Sequence, residues 1–154
     1  MIRPANEKDI PAILMLLQQV LLIHHEGRPD IFKERGAKYF REELVQKIND
    51  KDNPIFVYEE SGNVCGHMFC QSIEHEETGS IHRYKTLYID DLCIGEKYRN
   101  RGIGRSFYTF IKQYARENGY HNITLHAWQC NEGAREFYEH LGMEIQQYTM
   151  EEVL

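Results

Sequence analysis

The spacing of apolar and polar positions predicts two helices in the first third of the chain. A short strand near residue 2 is followed by apolar residues at helical spacing over 10–21. Asn6 and Asp9 precede this repeat, and either side chain can cap the helix. A second repeat over 40–48 predicts a shorter helix, separated from the first by a segment that contains Gly27, Pro29 and Gly36.

The remaining two thirds predict mainly strands. Apolar runs at 55–58 and 64–73 flank a turn at 61–63, which is typical of a hairpin, and a long strand is predicted over 81–94. A helix follows with its apolar stripe between 107 and 115, then a strand at 123–128, a helix that begins after Asn131, and a closing strand at 145–150. The order β-α-α-β-β-β-α-β-α-β predicts an α/β (α+β) fold with a mixed, mainly antiparallel central sheet. No linker or repeat interrupts it, so we expect a single domain over 1–154.

Composition narrows the classes of partner. Charged residues make up 27% and apolar residues 42% of the chain, as in ordinary globular proteins. The net charge of −6, without a dominant basic face, argues against nucleic acid. The apolar stretch 13–23 is too short to span a bilayer, so no membrane partner is predicted. The irregular spacing of the cysteines favours a reduced, cytoplasmic setting, and a homodimer stays compatible with the sequence.

A glycine-bearing loop follows the long predicted strand and leads directly into a helix. Glycines allow close backbone approach, and the N-terminus of a helix attracts anions, so this segment predicts a site for a phosphate-bearing ligand. Neither a P-loop nor a Rossmann fingerprint fits, because the P-loop lysine and the third Rossmann glycine are missing. The residues of this loop are Arg99, Asn100, Arg101, Gly102, Ile103, Gly104 and Arg105.

In the form [QR]-x-x-G-x-[GA], the loop resembles the acetyl-CoA loop of the GNAT superfamily of N-acetyltransferases. Downstream, Asn131-x-x-Ala-x-x-Phe-Tyr138 is similar to the family's helix after its fifth strand, and the opening residues are similar to its first strand and helix. The resemblance covers essentially the whole chain and is most specific over 88–142. Within it, residues 88–92 resemble the polyamine acetyltransferase branch, which has an acid near this point.

The resemblance implies acetyl-CoA as co-substrate and an amine as acceptor. It assigns the coenzyme to the glycine loop, to Asn131 and to the strand end Leu92, Cys93 and Ile94. It also implies that Tyr138 protonates the departing thiolate and that Asp90 accepts the proton of the amine, directly or through water.

Each of these residues also has a purely structural interpretation. Tyr138 fits a helix core stripe, Asn131 is an N-cap, and Asp90 can be a salt-bridged carboxylate. Because strand neighbours point to opposite sides, we expect only one of Asp90 and Asp91 to face a given cleft. Cys93 lacks a matched base and is not expected to be a nucleophile.

Two functions remain in view at this point. The first is an N-acetyltransferase with direct attack in a ternary complex, whose acceptor is small and cationic. Asp90 and the acidic residues Glu74, Glu76 and Glu77 suggest that charge preference. The alternative is a non-catalytic coenzyme-A-binding regulatory or interaction module. No metal site is expected, because the histidines lack the spacing of metal ligands.

Overall fold

A computed structural model describes residues 1–154 as five strands and four α-helices. The strands are β1 (Ile2–Pro4), β2 (Ile55–Glu60), β3 (Asn63–His75), β4 (Tyr84–Ile94) and β5 (Asn122–Leu125). The helices are α1 (Ile10–Gly27), α2 (Arg41–Ile48), α3 (Ile103–Glu117) and α4 (Glu132–His140). Short 3₁₀ turns lie at Glu7–Asp9 and Glu96–Tyr98. No helix is both long enough and apolar enough to cross a membrane.

The strands form one sheet in the order β1-β2-β3-β4-β5. Neighbours pair antiparallel from β1 to β4, whereas β5 runs parallel to β4. Parallel neighbours need a crossover connection, and α3 provides it here. The predicted mixed and mainly antiparallel sheet is therefore confirmed.

Apolar side chains cover both faces of the sheet and form two clusters. The α1–α2 face includes Ile10, Ile13, Leu17, Leu44, Val57 and Phe69. The α3 face includes Met68, Leu87, Ile89, Phe107 and Ile111. Alternate residues of the middle strands supply the two clusters, as the pleat of a strand requires. The functional residues of β4 therefore lie on a sheet held from both sides.

Polar side chains set several boundaries. The Asn6 side chain accepts from the Lys8 N–H at 3.0 Å and starts the turn before α1, while Asp9 accepts from the Asn6 N–H at 2.8 Å. Arg3 contacts Asp9 at 2.7 Å and thereby ties β1 to this turn. Asn131 caps α4 as predicted, accepting from the Ala134 N–H at 3.2 Å.

The predicted closing strand at 145–150 is not formed. No regular element follows α4, and Ile145, Tyr148 and Met150 are all exposed. β5 pairs only with β4, so its outer edge stays unpaired and the residues after α4 add no strand to it. The tail is instead attached by Glu151, which contacts Arg28 at 2.7 Å. The predicted strands at 81–94 and 123–128 are also too long, since β4 begins at Tyr84 and β5 ends at Leu125.

Candidate functional site

The two parallel strands separate at the carboxyl end of β5. Their pairing runs from Thr86 opposite Asn122 to Ile89 opposite Leu125, where β5 ends. β4 continues to Ile94, still paired on its other edge with β3. The backbone edge of residues 90–94 therefore has no strand beside it, and Leu92, Cys93 and Ile94 lie along it as the resemblance implied.

The glycine loop begins α3 next to this open edge. Gly102 has φ 79° and Asn100 has φ 60°, so the chain turns sharply through left-handed conformations just before the helix. No side chain caps α3. Ser106 is the first residue of α3 whose N–H has a backbone acceptor. It donates to the Gly102 carbonyl at 2.9 Å. The preceding N–H groups and the helix dipole favour an anion at this end.

The basic side chains of the loop are partly engaged within the chain. Arg101 contacts both oxygens of Glu60, at 2.9 and 3.0 Å, and the Arg99 Nε donates to the Ile94 carbonyl at 3.1 Å. Lys97 and Arg105 are exposed and make no ion pair. Arg99 also forms no ion pair, because its partner is a neutral carbonyl. The electrostatic attraction of the loop therefore depends on its backbone and on the three cations Lys97, Arg99 and Arg105.

Gly104 has a different role from the one that loop geometry suggests. It has an ordinary negative φ, and a Cβ there would lie 2.8 Å from the Cζ of Phe137 on α4. The absence of a side chain thus lets α3 approach α4, whereas the left-handed conformation is required at Gly102. Ile103, between the two glycines, is buried in the core.

A β-bulge changes the direction of the two aspartates of β4. Phe69 lies opposite Asp91, but Cys70 lies opposite Ile89, so Asp90 is an extra residue in its strand. The Nζ of Lys38 lies 3.0 Å from the Asp90 Oδ2 and 3.9 Å from the Asp91 Oδ1. The expectation that only one aspartate faces a given side is wrong, because a bulge interrupts the alternation.

Asp90 is held by the segment between α1 and α2. The Tyr39 hydroxyl donates to its Oδ2 at 2.8 Å, and Lys38 also donates to its main-chain carbonyl at 2.9 Å. Burial, followed by the hydrogen bond to Asp90, raises the pKa of Tyr39, so this hydroxyl stays a donor. Sequence analysis did not find Lys38 or Tyr39, which lie some fifty residues before Asp90 in the chain.

Asp91 forms a buried pair with His67. The His67 Nε2 lies 2.5 Å from the Asp91 Oδ2, His67 is fully buried, and Asp91 is 8% exposed. Burial is the largest influence on the pKa of Asp91 and raises it, but the hydrogen bond and charge of His67 prevail and lower it. A histidine within the apolar run of β3 was the only sequence signal for this pair.

Tyr138 lies on α4 and is partly buried. Burial and then the negative charge of Asp91 raise the pKa of its hydroxyl. A phenol with a raised pKa retains its proton at neutral pH and can donate it. Its ring also packs against Phe137, with 5.1 Å between centroids, so the packing interpretation stays open beside the chemical one.

Other predicted residues have structural partners. The Cys93 thiol donates to the Leu16 carbonyl at 3.4 Å, and burial raises its pKa to about 12, which argues against a thiolate nucleophile. Glu74 and Glu76 face Arg83, at 3.9 and 3.1 Å. Glu74 lies opposite Lys85, five positions before Asp90, so the structure does not bring these glutamates to Asp90.

Aromatic residues of the α1–α2 connection contact the segment after β5. Phe32 lies between His24 and Trp128, with ring centroids 4.8 and 5.2 Å away. Arg28 lies over the Trp128 ring at 5.8 Å and contacts Asp30 at 2.7 Å. The start of the α1–α2 connection therefore bridges α1 and the segment that follows β5.

Several known proteins are similar to this chain in sequence or in fold. The uncharacterized N-acetyltransferase YhfO of Bacillus subtilis is 28% identical over 143 residues, covering 93% of this chain and 89% of its own. The uncharacterized N-acetyltransferase MJ1207 of Methanocaldococcus jannaschii is 29% identical over 117 residues, or 73% of this chain. The matched region is only 47% of the length of MJ1207. A crystal structure of a tetramutant of the BH1408 protein from Bacillus halodurans superposes with a TM-score of 0.95 at 28% identity, covering 100% of this chain and 99% of that one.

A sequence model of the acetyltransferase (GNAT) family matches residues 17–143, which include the open edge of β4, the glycine loop and α4. Because this match extends over most of the chain, the protein belongs to the GNAT family of acyl-CoA-dependent N-acetyltransferases.

Proposed function

We propose that this protein transfers an acetyl group from acetyl-CoA to a small, cationic primary amine by direct attack in a ternary complex. The observation that carries the proposal is the position of the Asp90 carboxylate. Asp90 is the bulged residue of β4, and it lies where the edge of β4 that is not paired with β5 begins. An acid at that point lies next to the proposed coenzyme-binding residues 92–94. It also contacts the α1–α2 connection, which carries the ammonium group of Lys38.

The coenzyme would lie along the open edge and the loop. Acetyl-CoA supplies an activated thioester and a pyrophosphate. The unpaired backbone of β4 offers hydrogen bonds to an extended chain, as an added strand would receive them. The N-terminus of α3 suits the pyrophosphate. Asn131 lies at the start of α4 across the cleft, although its side-chain oxygen is already used as a cap. The binding residues are Leu92, Cys93, Ile94, Arg99, Asn100, Arg101, Gly102, Ile103, Gly104, Arg105 and Asn131.

Three groups of the chain then serve the transfer. Asp90 accepts the proton of the incoming ammonium, directly or through water, because an amine with a pKa near 10.4 arrives protonated. A backbone N–H near Ile94 stabilises the developing oxyanion. Tyr138 donates a proton to the departing thiolate, for which its raised pKa keeps the hydroxyl protonated. Alignment of the two reactants supplies much of the remaining acceleration.

The preference for a cationic acceptor is supported by Lys38. An ammonium group already contacts Asp90 and lies near Asp91, so the site accommodates positive charge. Glu74 and Glu76 do not contribute to this charge preference, because both side chains face Arg83. Asp90 is therefore the carboxylate that would select a cationic acceptor, because Asp91 is buried against His67.

The alternative is a coenzyme-A-binding module without catalysis. The contacts of Asp90 with Lys38 and Tyr39 favour it, since a carboxylate with two partners is adequately explained as a structural ion pair. Calorimetry with acetyl-CoA, combined with thiol release across polyamines, aminoglycosides, amino acids and a peptide N-terminus, separates the two functions. Thiol release that depends on a polycation supports the transferase. Coenzyme binding without acceptor-dependent release from any amine supports the module.

A further inference from the structure

Lys38 places a primary amine beside the carboxylate that is proposed as the base. Its Nζ lies 3.0 Å from the Asp90 Oδ2, within the distance at which a general base removes a proton. The same nitrogen donates to the Asp90 carbonyl at 2.9 Å. A primary amine of the chain itself is therefore held on the residue that the proposed mechanism uses as its base.

A second lysine nearby provides an internal comparison. The Nζ of Lys38 lies 5.7 Å from the centre of the Tyr39 ring, and that of Lys47 lies 4.5 Å from it. Only Lys38 contacts Asp90 and Asp91. The two amines thus share an aromatic neighbour but differ in access to the proposed base.

We propose that Lys38 is an internal acceptor, which the chain acetylates on its own Nζ when no external amine is bound. The proposal rests on the function proposed above. It adds a modification site and predicts that external amines compete with Lys38 for Asp90. The side chain is 38% exposed, so an acceptor can displace it.

The transfer balances without a further reactant. A bond forms between the Lys38 Nζ and the acetyl carbonyl carbon, and the thioester C–S bond breaks. Asp90 takes one proton from the ammonium before the attack, and Tyr138 gives one to the departing thiolate. The tetrahedral adduct loses the second nitrogen proton, which restores the Tyr138 hydroxyl, so the products are a neutral amide, free coenzyme A and one proton held by Asp90. The amide no longer carries the charge that pairs with Asp90, so the ion pair that holds residue 38 on β4 is lost.

The test is to incubate the wild-type chain with acetyl-CoA alone and follow Lys38 and Lys47 by peptide mass spectrometry. We expect Lys38 to be acetylated with a rate constant that does not depend on protein concentration, as a reaction within one molecule requires. Lys47 should be acetylated no faster than the same lysine in denatured protein. Asp90→Asn lowers the Lys38 rate by about 10²–10⁴-fold if the carboxylate is the base. Lys38→Arg abolishes the modification, Lys47→Arg leaves it unchanged, and an accepted polyamine slows it.

The outcomes separate this proposal from the proposed function. If amines drive thiol release while Lys38 is acetylated no faster than Lys47, Lys38 is only an ion-pair partner and the inference is overturned, although the transferase stands. A rate that rises with protein concentration overturns transfer within one chain. If the folded protein binds the coenzyme but neither external amines nor Lys38 are acetylated, both proposals fail.

Discussion

At the scale of single residues, the site depends on one extra position in β4. The bulge at Asp90 brings two consecutive carboxylates toward the same lysine, although their surroundings differ. Asp90 contacts the partly exposed side chains of Lys38 and Tyr39, whereas Asp91 is bound to the buried His67. This difference is the reason that Asp90, and not Asp91, is proposed as the base.

Replacing Asp90 by Asn is expected to lower kcat with cationic amines by about 10²–10⁴-fold at pH values below the pKa of the amine. The amide retains most of the local packing but cannot accept the ammonium proton. The measurement is a pH–rate profile, in which the deficit should shrink as the amine itself loses its proton at high pH. Glu42→Gln, an exposed acid on α2, is the matched control. A profile identical to that of the wild type would exclude Asp90 as the base.

Tyr138→Phe is expected to lower kcat by about 10²–10⁴-fold while acetyl-CoA affinity and Tm stay near the wild-type values. The ring that packs against Phe137 is retained, and only the proton donor is lost. Single-turnover kinetics isolate the chemical step, and Tyr148→Phe, at an exposed tyrosine, is the control. Unchanged single-turnover rates would leave Tyr138 with a packing role alone.

At the scale of elements, the site depends on the contact between α3 and α4. α3 supplies the end that would bind the pyrophosphate, α4 carries Tyr138, and Gly104 allows the two helices to meet at Phe137. Gly104 therefore determines how closely the helix that follows the loop packs against the helix that carries Tyr138.

Gly104→Ala is expected to destabilise the fold by about 1–3 kcal/mol, because the new Cβ would lie 2.8 Å from the Phe137 ring and overpacking displaces α4. Gly133→Ala on α4 is the control, because a Cβ at this position would have no atom within 4 Å. The substitution also replaces a flexible glycine within a helix. That variant should be neutral or stabilised by up to about 1 kcal/mol. Urea unfolding measures both, and equal stability of the two variants would contradict the role given to the α3–α4 contact.

At the scale of the whole molecule, the His67–Asp91 pair links the middle strands beneath α1. His67 on β3 and Asp91 on β4 are buried on the face that α1 and α2 cover, and His67 packs against Phe69 with 5.0 Å between ring centroids. Because a buried charge without its partner is costly, this pair contributes to global stability as well as to the site.

Asp91→Asn is expected to lower the free energy of unfolding at pH 7 by about 1–3 kcal/mol, because the amide still accepts a hydrogen bond but carries no charge. The folded-state pKa of Asp91 is lowered, so its contribution is present above the unfolded value of about 3.9 and is lost as the pH falls through the folded value. The gap between variant and wild type should therefore narrow below about pH 4. Urea unfolding between pH 3 and 7, with Asp52→Asn as an exposed control, measures it. A gap that is constant with pH would contradict the assignment.

The local pattern of the sequence determined most of the elements and the family. Helical and strand periods, the caps at Asn6 and Asn131, and the glycine loop are properties of short segments, so they can be read from neighbouring residues alone. The resemblance of the motifs that contain Gly102 and Tyr138 predicted the acetyltransferase family, and the order of the elements predicted the mixed sheet. The proposed roles of Asp90 and Tyr138 remain predictions.

Tertiary structure decided what depends on partners distant in the chain. The bulge at Asp90 arises from the register with β3, the contact of Gly104 with Phe137 requires two helices to pack, and Lys38 reaches Asp90 across fifty-two positions. The apolar residues of 145–150 predicted a strand, but no strand of the sheet pairs with them. The period of apolar residues predicts which face of a segment is buried. Only the folded chain determines which side chains of other segments pack against that face.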